Sequence, residues 1–411
     1  MSRSSAAATA INVDVIVIGG GLVGGALACA LDTGGFTVAL VERGDPETAL
    51  ADAFDGRASS IALASQRVLA GLDLWPAMVD EASPIDDIRV SEEASPLFLH
   101  YAAEDSDVRP FGYMLENRHI RRALWQGVGE RPGIRVVAPA RINTIERDGA
   151  RAEALLADGR RLCAPLIVGA DGRSSWVRRQ AGIQVTGWNY GQSGIVCTVA
   201  HAEPHGATAH ERFLPAGPFA ILPLKGSRSS IVWTERSEVA PAIMALDDEA
   251  FLDEISERLG DFLGDLRVIG PRWSHPLSLQ FAETACDQRL VLVGDAAHAM
   301  HPIAGQGLNM GLRDVAALAE VLVDARRLGL DIGATDVLER FQRWRRFDNT
   351  LMLAMTDGLN RLFSSQIRPL RLARDLGLAA VNQVPPLKRL FVRHAMGLAG
   401  DLPRLVRGET L

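Results

Sequence analysis

The N-terminal part of the chain is marked by apolar runs whose spacing changes from that of a strand to that of a helix. Val13–Ile18 is a mainly apolar run that predicts a buried strand, and Leu22–Leu31 predicts a helix. Phe36–Val41 predicts a second buried strand. A strand–helix–strand order with apolar strands is typical of a parallel sheet covered by helices on both faces. The sequence therefore predicts an α/β fold.

The pattern changes several times along the rest of the chain. Residues 45–130 are expected to be mainly helical, with a second helix opening at Glu116-Asn117-Arg118. Short strands are predicted at Ile134–Val137, Arg141–Ile145, Ala152–Leu156 and Leu166–Ala170. Alternating segments predict antiparallel strands, with a helix beneath them, at Ile195–Ala200, His210–Leu214, Phe219–Leu224, Ser230–Thr234 and, for the helix, Asp248–Leu263. Leu290–Val293 predicts a further strand that ends at Gly294-Asp295.

A glycine motif follows the first predicted strand. Gly19, Gly21 and Gly24 satisfy G-x-G-x-x-G at the start of the helix, whose N-terminal amides suit a pyrophosphate. Glu42 ends the second strand, 23 residues after Gly19, where an acid binds a ribose and repels an extra 2′-phosphate. A glycine-rich packing turn is the alternative. The strands, helix and acid in register favour an adenine dinucleotide.

Composition favours a large enzyme over a membrane or nucleic-acid-binding protein. The 411 residues are 47% hydrophobic and 23% charged, with a formal net charge of −7 that argues against nucleic acid. Val15–Leu31 is uncharged, but its glycines and short length argue against a membrane helix. Scattered Cys29, Cys163, Cys197 and Cys286 favour reduced thiols in a cytoplasmic protein. No metal is predicted, since the His298 and His301 pair lacks acidic or Cys partners at ligand spacing.

The C-terminal segment differs in charge from the rest of the chain. Residues 335–411 contain 13 Lys or Arg and 7 Asp or Glu, mixed with apolar stretches. One interpretation is a basic amphipathic segment that lies against an anionic membrane. The other is a helical cap packed on the enzyme with a solvated arginine face. The two are compatible, and both remain open from the sequence.

Three motifs occur in a fixed order: the glycine motif with Glu42, then Asp171-Gly172 after a strand, then Gly294-Asp295 after another. In this order the chain resembles the single-component aromatic flavoprotein hydroxylases, the group typified by para-hydroxybenzoate hydroxylase. The resemblance implies FAD as cofactor. It assigns contacts with FAD to Gly19, Gly21, Leu22, Val23, Gly24, Glu42, Arg43, Arg57, Asn117, Asp171, Gly172 and Asp295.

The eleven residues from His301 to Gly311 resemble more narrowly the hydroxylases of ubiquinone biosynthesis, which act on a polyprenylated phenol ring. The resemblance implies that this loop approaches the flavin ring. It assigns further FAD contacts to Pro302, Gly305, Gly307, Leu308 and Asn309. His301 is the candidate catalytic base for the phenol, although its imidazole would equally suit a hydrogen bond to the loop backbone.

The change of pattern along the chain also indicates a division into domains. We expect a Rossmann-like FAD-binding domain in two parts, 1–182 and 286–334, with an inserted antiparallel-sheet substrate domain, 183–285, and a C-terminal helical segment, 335–411. A single dinucleotide motif implies that NAD(P)H or another electron donor visits transiently.

The implied activity is that of a monooxygenase, in which reduced flavin and O2 form a C4a-hydroperoxide that hydroxylates the ring. The expected substrate is a polyprenylated phenol. The expected location is cytoplasmic, peripheral on the inner face of the cytoplasmic membrane, in contact with other quinone-biosynthesis proteins. Two alternatives stay open: a flavin monooxygenase for a small soluble aromatic acid, and a non-catalytic FAD-fold carrier of prenyl groups.

Overall fold

The computed structural model describes residues 10–50, 54–92, 98–102, 109–300, 305–364, 384, 389 and 392–411. Its strands are β1 (Ile11–Asn12), β2 (Val15–Ile18), β3 (Val38–Val41), β4 (Ala58–Ala62), β5 (Ser83–Ile85), β6 (Asp87–Glu92), β7 (Phe98–Ala102), β8 (Gly112–Glu116), β9 (Ile134–Val137), β10 (Ile142–Arg147), β11 (Ala152–Leu156), β12 (Arg161–Ala164), β13 (Leu166–Gly169), β14 (Val185–His201), β15 (Thr208–Leu214), β16 (Gly217–Leu224), β17 (Arg228–Arg236), β18 (Leu266–Ala282), β19 (Cys286–Asp287), β20 (Leu290–Leu292) and β21 (His298–Ala299).

Its helices are α1 (Leu22–Thr33), α2 (Pro46–Leu50), α3 (Leu63–Gly71), α4 (Asn117–Gly129), α5 (Trp176–Gln180), α6 (Ala240–Met244), α7 (Asp248–Leu259), α8 (Gln306–Arg327), α9 (Thr335–Ser364) and α10 (Arg404–Arg407).

A six-stranded sheet forms the centre of the cofactor-binding half, in the order β19-β20-β13-β2-β3-β9. From β20 to β9 all neighbours are parallel, and β2, β3 and β13 are buried along their whole length, as the apolar runs predict. Carboxyl ends of parallel strands meet at one edge of a sheet. The loops after β2, β13 and β20, which carry the three motifs, therefore lie side by side.

An eight-stranded sheet forms the second half, in the order β21-β18-β14-β17-β16-β15-β6-β7. The predicted antiparallel strands between Ile195 and Thr234 are confirmed, and each is longer than expected. The division at 183–285 stays a prediction, but β6, β7 and β21 join this sheet from outside that range.

The expectation that residues 45–130 are mainly helical is wrong, because this region contributes strands β4 to β8. The reason is long-range pairing: β6 runs parallel to β15, with Asp87 opposite Thr208, and β4, β8 and β5 form their own three-stranded sheet. Local sequence does not record a partner that lies more than a hundred residues away in the chain. The helix predicted to open at Asn117 is confirmed as α4.

The eight-stranded sheet has two different faces. One face packs on α6 and α7 through apolar side chains, among them Phe219, Trp233 and Phe251. The opposite face meets the cofactor-binding half, where the Thr198 hydroxyl donates to the Gly56 carbonyl at 3.4 Å. On the same face the Trp273 indole donates to the Asp55 carbonyl at 2.5 Å. A ligand between the two halves would contact this second face, which we call the inner face.

The described residues of the C-terminal part are mainly helical, as expected. Helix α8 is buried along most of its length against α1 and α3, and α9 packs on α8 and contacts β15 and β16. Gly311 lets α8 approach α1 closely, because a Cβ atom at this position would lie 2.5 Å from a methyl carbon of Val23 on α1. The four cysteines are buried and free of disulfides.

Gly311→Ala should lower the free energy of unfolding by about 1–3 kcal/mol, because the added methyl group overpacks the contact between α8 and α1. Adding Val23→Ala should restore part of the loss by making room. Gly358→Ala in α9 is the control, since a Cβ atom at Gly358 meets nothing within 4 Å. Urea unfolding followed by circular dichroism measures all three. Equal stability of Gly311→Ala and the control would contradict the predicted packing.

Candidate cofactor and substrate site

The turn between β2 and α1 needs glycine for two different reasons. Gly19 has φ +107°, and a Cβ atom on Gly24 would lie 1.9 Å from the Gly19 carbonyl oxygen. At Gly21 a Cβ atom would meet nothing within 4 Å, so the backbone here borders open space. Helix α1 begins after Gly21 without a side-chain cap, which leaves its first amide groups, from Leu22 onward, available to an anion.

Glu42 lies at the end of β3 and closes one side of this turn. Its carboxylate accepts hydrogen bonds from the amides of Gly20 and Gly44, at 2.6 and 2.7 Å. A cavity of about 240 Å³ opens beside it, lined by Gly20, Gly21, Leu22, Glu42, Gly44, Asp45, Arg121, Leu124 and Trp125. Arg43 is exposed and does not line this cavity.

Sequence reasoning missed Arg121 and Trp125, which line this cavity from α4. Their one sequence signal is their place in the helix that opens at Asn117. Val23, by contrast, is predicted to contact the cofactor, but its side chain packs against Gly294 and Gly311. Only its backbone amide, in the first turn of α1, remains for an anion.

The Asp171-Gly172 motif builds the second loop. The Asp171 carboxylate accepts from the Ser175 hydroxyl at 2.5 Å and from the amides of Trp176 and Val177, at 2.6 and 3.1 Å. It therefore holds the start of α5, and Gly172, at φ +78°, makes the turn. The structure thus gives this carboxylate a loop-shaping role beside the predicted cofactor contact.

Arg178, which sequence reasoning missed, joins the second loop to the third. Its guanidinium is buried and donates to the carbonyls of Ala296 and Arg173, at 2.7 and 2.9 Å. The composition of the five-residue helix α5 gives no sign that this arginine joins the two loops.

Asp295 lies in the third loop, directly after Gly294. Its side chain is exposed, and no described residue donates a hydrogen bond to it. Burial nevertheless raises the pKa of its carboxyl, against the opposing charges of His298 and Arg173. The exposed carboxyl is accessible to a ligand. Such a group suits the hydroxyl groups of a ribityl chain.

A buried ion network fixes the position of the third loop. The Asp314 carboxylate accepts from the Gly294 amide at 3.0 Å, the His298 imidazole at 2.6 Å and the Arg345 guanidinium at 2.8 Å. Burial raises the pKa of this carboxyl, but His298 and Arg345 outweigh that effect and hold the pKa well below its usual range. Asp348 extends the network to Arg345 and Arg313.

The loop before α8 provides a second helix N-terminus. Gly305 has φ +60° and precedes the helix without a side-chain cap, and at Gly307 a Cβ atom would meet nothing within 4 Å. Amides near Leu308 therefore face open space at the positive end of a 22-residue helix. His301 and Pro302 lie outside the described residues.

The side chain of Asn309 is used within the protein. Its carbonyl oxygen accepts from the Ala62 amide at 2.8 Å, and its amide group donates to the carbonyls of Ser60 and Gly305, both at 2.9 Å. Asn309 therefore fastens β4 to the start of α8. The predicted contact of Asn309 with the cofactor would therefore be made by its backbone.

Arg57 and Asn117 lie together beside these loops. The Arg57 guanidinium pairs with Asp55 at 2.8 Å and lies over the ring of Trp273. The Asn117 side chain accepts from the Ser59 hydroxyl at 2.7 Å. Asp55 also pairs with Arg121, at 3.0 Å, so one carboxylate holds two arginines near the same cavity.

The arrangement fits FAD. Two uncapped helix N-termini suit the pyrophosphate and the pyrimidine end of a flavin, the backbone at Gly21 and Gly307 borders open space, and the Asp295 carboxylate lacks a described partner. When bound, FAD supplies the redox and oxygen chemistry.

Asp295→Ala should weaken FAD binding at least about tenfold, because a charge-assisted hydrogen bond contributes roughly 1.5–3 kcal/mol. Flavin fluorescence titration of the apoprotein measures the dissociation constant. Asp253→Ala on the exposed side of α7 is the control and should bind FAD as the parent does. Purification of Asp295→Ala with a full complement of flavin would contradict this assignment.

Comparison with known proteins agrees with this geometry. Residues 12–330 match the family model described as an FAD binding domain. The chain is 54% identical over 401 residues to a ubiquinone hydroxylase of Rhodospirillum rubrum, covering 97% of this chain and 93% of that one. It is 35% identical to the 3-demethoxyubiquinol 3-hydroxylase of Escherichia coli, covering 94% and 98%.

A solved structure shows the same fold at low sequence identity. The p-nitrophenol 4-monooxygenase of Pseudomonas putida matches with a TM-score of 0.77 and 20% identity, over 95% of this chain and 99% of that one. The fold and the FAD site thus agree with the motifs. This chain belongs to the FAD-dependent hydroxylases of ubiquinone biosynthesis, a family of flavin monooxygenases.

Proposed function

We propose that this enzyme hydroxylates the aromatic ring of a polyprenylated phenol while it lies on the membrane surface. Two observations support the substrate class. One is the 54% identity to a protein named ubiquinone hydroxylase. The other, which carries the proposal, is the apolar character of the region that adjoins the flavin loop.

A cluster of flexible apolar side chains borders this loop. We call it the methionine cluster; its buried members are Leu279, Met300, Met310, Met352 and Leu353, with Tyr190 and Phe281 packed against them. Met300 comes directly before the flavin loop, and Met310 lies in the first turns of α8. Thioether side chains adapt their shape to irregular apolar ligands. An isoprenoid chain needs such a surface.

Different parts of this chain would hold the flavin and exclude water from the substrate ring. The N-terminus of α8 would hold the flavin, and Asn309 holds that helix to β4. The inner face and α9 would exclude water from the bound phenol. The electron donor, NAD(P)H or another, would enter transiently.

A small aromatic acid fits this site less well. Binding of its carboxylate favours an unpaired arginine in a compact polar pocket. Among the described residues, Arg57 and Arg228 adjoin the inner face and have carboxylate partners: Arg57 pairs with Asp55 and Arg228 with Glu116.

One exposed patch on α9 supports contact with an anionic membrane surface. Phe347 is 76% exposed, and Arg340, Arg343 and Arg346 are exposed around it on the same helix. A phenylalanine among arginines suits the boundary between headgroups and acyl chains. Among the described residues, no helix combines the length and apolar character needed to cross a bilayer.

Affinity should rise with the length of the isoprenoid tail, since burial of each CH2 group contributes roughly 0.8 kcal/mol. Hydroxylated product and peroxide release are measured side by side for phenols with no, one, two and more isoprene units. Coupling of O2 use to product should improve along the series. Equal coupling and affinity for a bare phenol acid and the prenylated phenols would contradict the proposed substrate.

Phe347→Ser should weaken binding to anionic vesicles about tenfold or more, because an apolar side chain at the interface contributes roughly 1.5–3 kcal/mol. Co-sedimentation with vesicles of phosphatidylglycerol and phosphatidylcholine measures this binding, which should weaken as the salt concentration rises. Leu328→Ser is the matched control, because Leu328 is 70% exposed outside this patch. Equal loss in both variants, or no binding by the parent, would refute the proposed surface.

A further inference from the structure

The inner face of the large sheet carries a glutamate that the functions described above do not use. On β15, His210 packs against Phe262, and the Arg212 guanidinium donates to the carbonyls of Arg258 and Leu259. Both side chains therefore point to the side of α7. Because successive side chains of a strand alternate between faces, Glu211 points to the opposite, inner face.

The strand register confirms this direction. Glu211 lies opposite Ala220 on β16, which lies opposite Val232 on β17, then Val196 on β14 and Trp273 on β18. Trp273, at the far end of this row, contacts Asp55 in the cofactor-binding half. Glu211 thus shares a face with residues that meet the cofactor-binding half, and apart from Glu211 the row is uncharged.

The carboxylate has no partner to explain its position. Within the described parts of the chain, no residue donates a hydrogen bond to Glu211 or forms an ion pair with it. Its side chain is partly exposed, yet burial raises the pKa of the carboxyl to about 7. The strand register places this partly exposed side chain on the inner face, which meets the cofactor-binding half. An unpaired carboxyl on this face is costly to stability and suits a ligand.

We propose that Glu211 is a specificity-determining residue, which accepts a hydrogen bond from the ring hydroxyl of the substrate phenol and rejects phenols that carry a carboxylate. The inference rests on the proposed function, since it assumes an uncharged prenylated phenol in the space beside the inner face. In this proposal, Glu211 selects the uncharged phenol over an aromatic acid of similar shape.

The physical basis is the sign of the charge at the end of an otherwise uncharged row. A carboxylate without a cationic partner favours a neutral O–H donor and repels a second carboxylate strongly, because the surroundings screen charge poorly. Specificity of this kind comes from repulsion of the wrong ligand as much as from attraction of the right one.

Other ionisable groups near Glu211 are few in the described structure. On the neighbouring strand β6, Val90 lies directly opposite and Glu92 lies diagonally on the same face. Tyr101 on β7 shares that face, and burial raises the pKa of its hydroxyl to about 12. From α9, Asp357 bonds the Tyr190 hydroxyl at 3.0 Å. Arg228 on β17 is held by Glu116.

The test compares two phenols that differ only in a ring carboxylate, each with the same isoprenoid tail. The parent enzyme should favour the uncharged phenol in kcat/KM by about tenfold or more. Glu211→Gln should reduce this ratio to within about threefold, chiefly through a lower KM for the carboxylated phenol. Glu249→Gln on α7, on the other side of the same sheet, is the matched control and should leave the ratio unchanged.

The pH dependence provides a second readout. Below a pH of about 7 the Glu211 carboxyl is protonated and its repulsion is lost, so the preference of the parent should grow from about pH 6 to about pH 8. In Glu211→Gln the preference should not change over this range. Flavin content and unfolding midpoints check that the variant is folded and loaded.

The outcomes separate the two proposals. A parent enzyme that fails to use the uncharged prenylated phenol would refute the proposed function itself. A parent that uses it, with a preference unchanged in Glu211→Gln and independent of pH, would refute the role of Glu211 alone.

Discussion

The buried carboxylate of Asp314 is the contact on which the cofactor site depends. It joins the amide of Gly294, the imidazole of His298 and the guanidinium of Arg345, so one group ties the third motif loop to α8 and to α9. Breaking a buried ion pair by removing one partner is strongly destabilising, because the other charge is left without compensation. The position of Asp295, next to Gly294, is thus set by residues up to fifty positions later in the chain.

The same logic extends to the other loops of the site. Arg178 fastens the second loop to the third, and Asn309 fastens β4 to the start of α8. These side chains are buried and form their hydrogen bonds with other groups of the protein. The groups left over, backbone amides at two helix N-termini and the Asp295 carboxylate, are those that a flavin dinucleotide requires. Preorganisation of a few exposed polar groups therefore rests on a larger set of buried ones.

The proposed substrate region differs from the cofactor site in the kind of side chains that form it. The methionine cluster provides apolar side chains next to the flavin loop. This division suits a family whose cofactor is constant. In the proposed site, Glu211 would add discrimination by charge at the ring to a loose fit for the tail.

The sequence by itself determined the strand–helix–strand core, the three motif loops with Gly19, Glu42, Asp171 and Asp295, and the helical C-terminal part, because these depend on local periodicity and on glycines with special backbone geometry. It also carried the resemblance to the family. Only the tertiary structure decided that β6 and β7 pair into the large sheet, that Arg178 and the side chain of Asn309 act as clamps, and that Glu211 faces the cofactor-binding half. Those features arise from pairing and packing between residues distant in the chain, which no local pattern records.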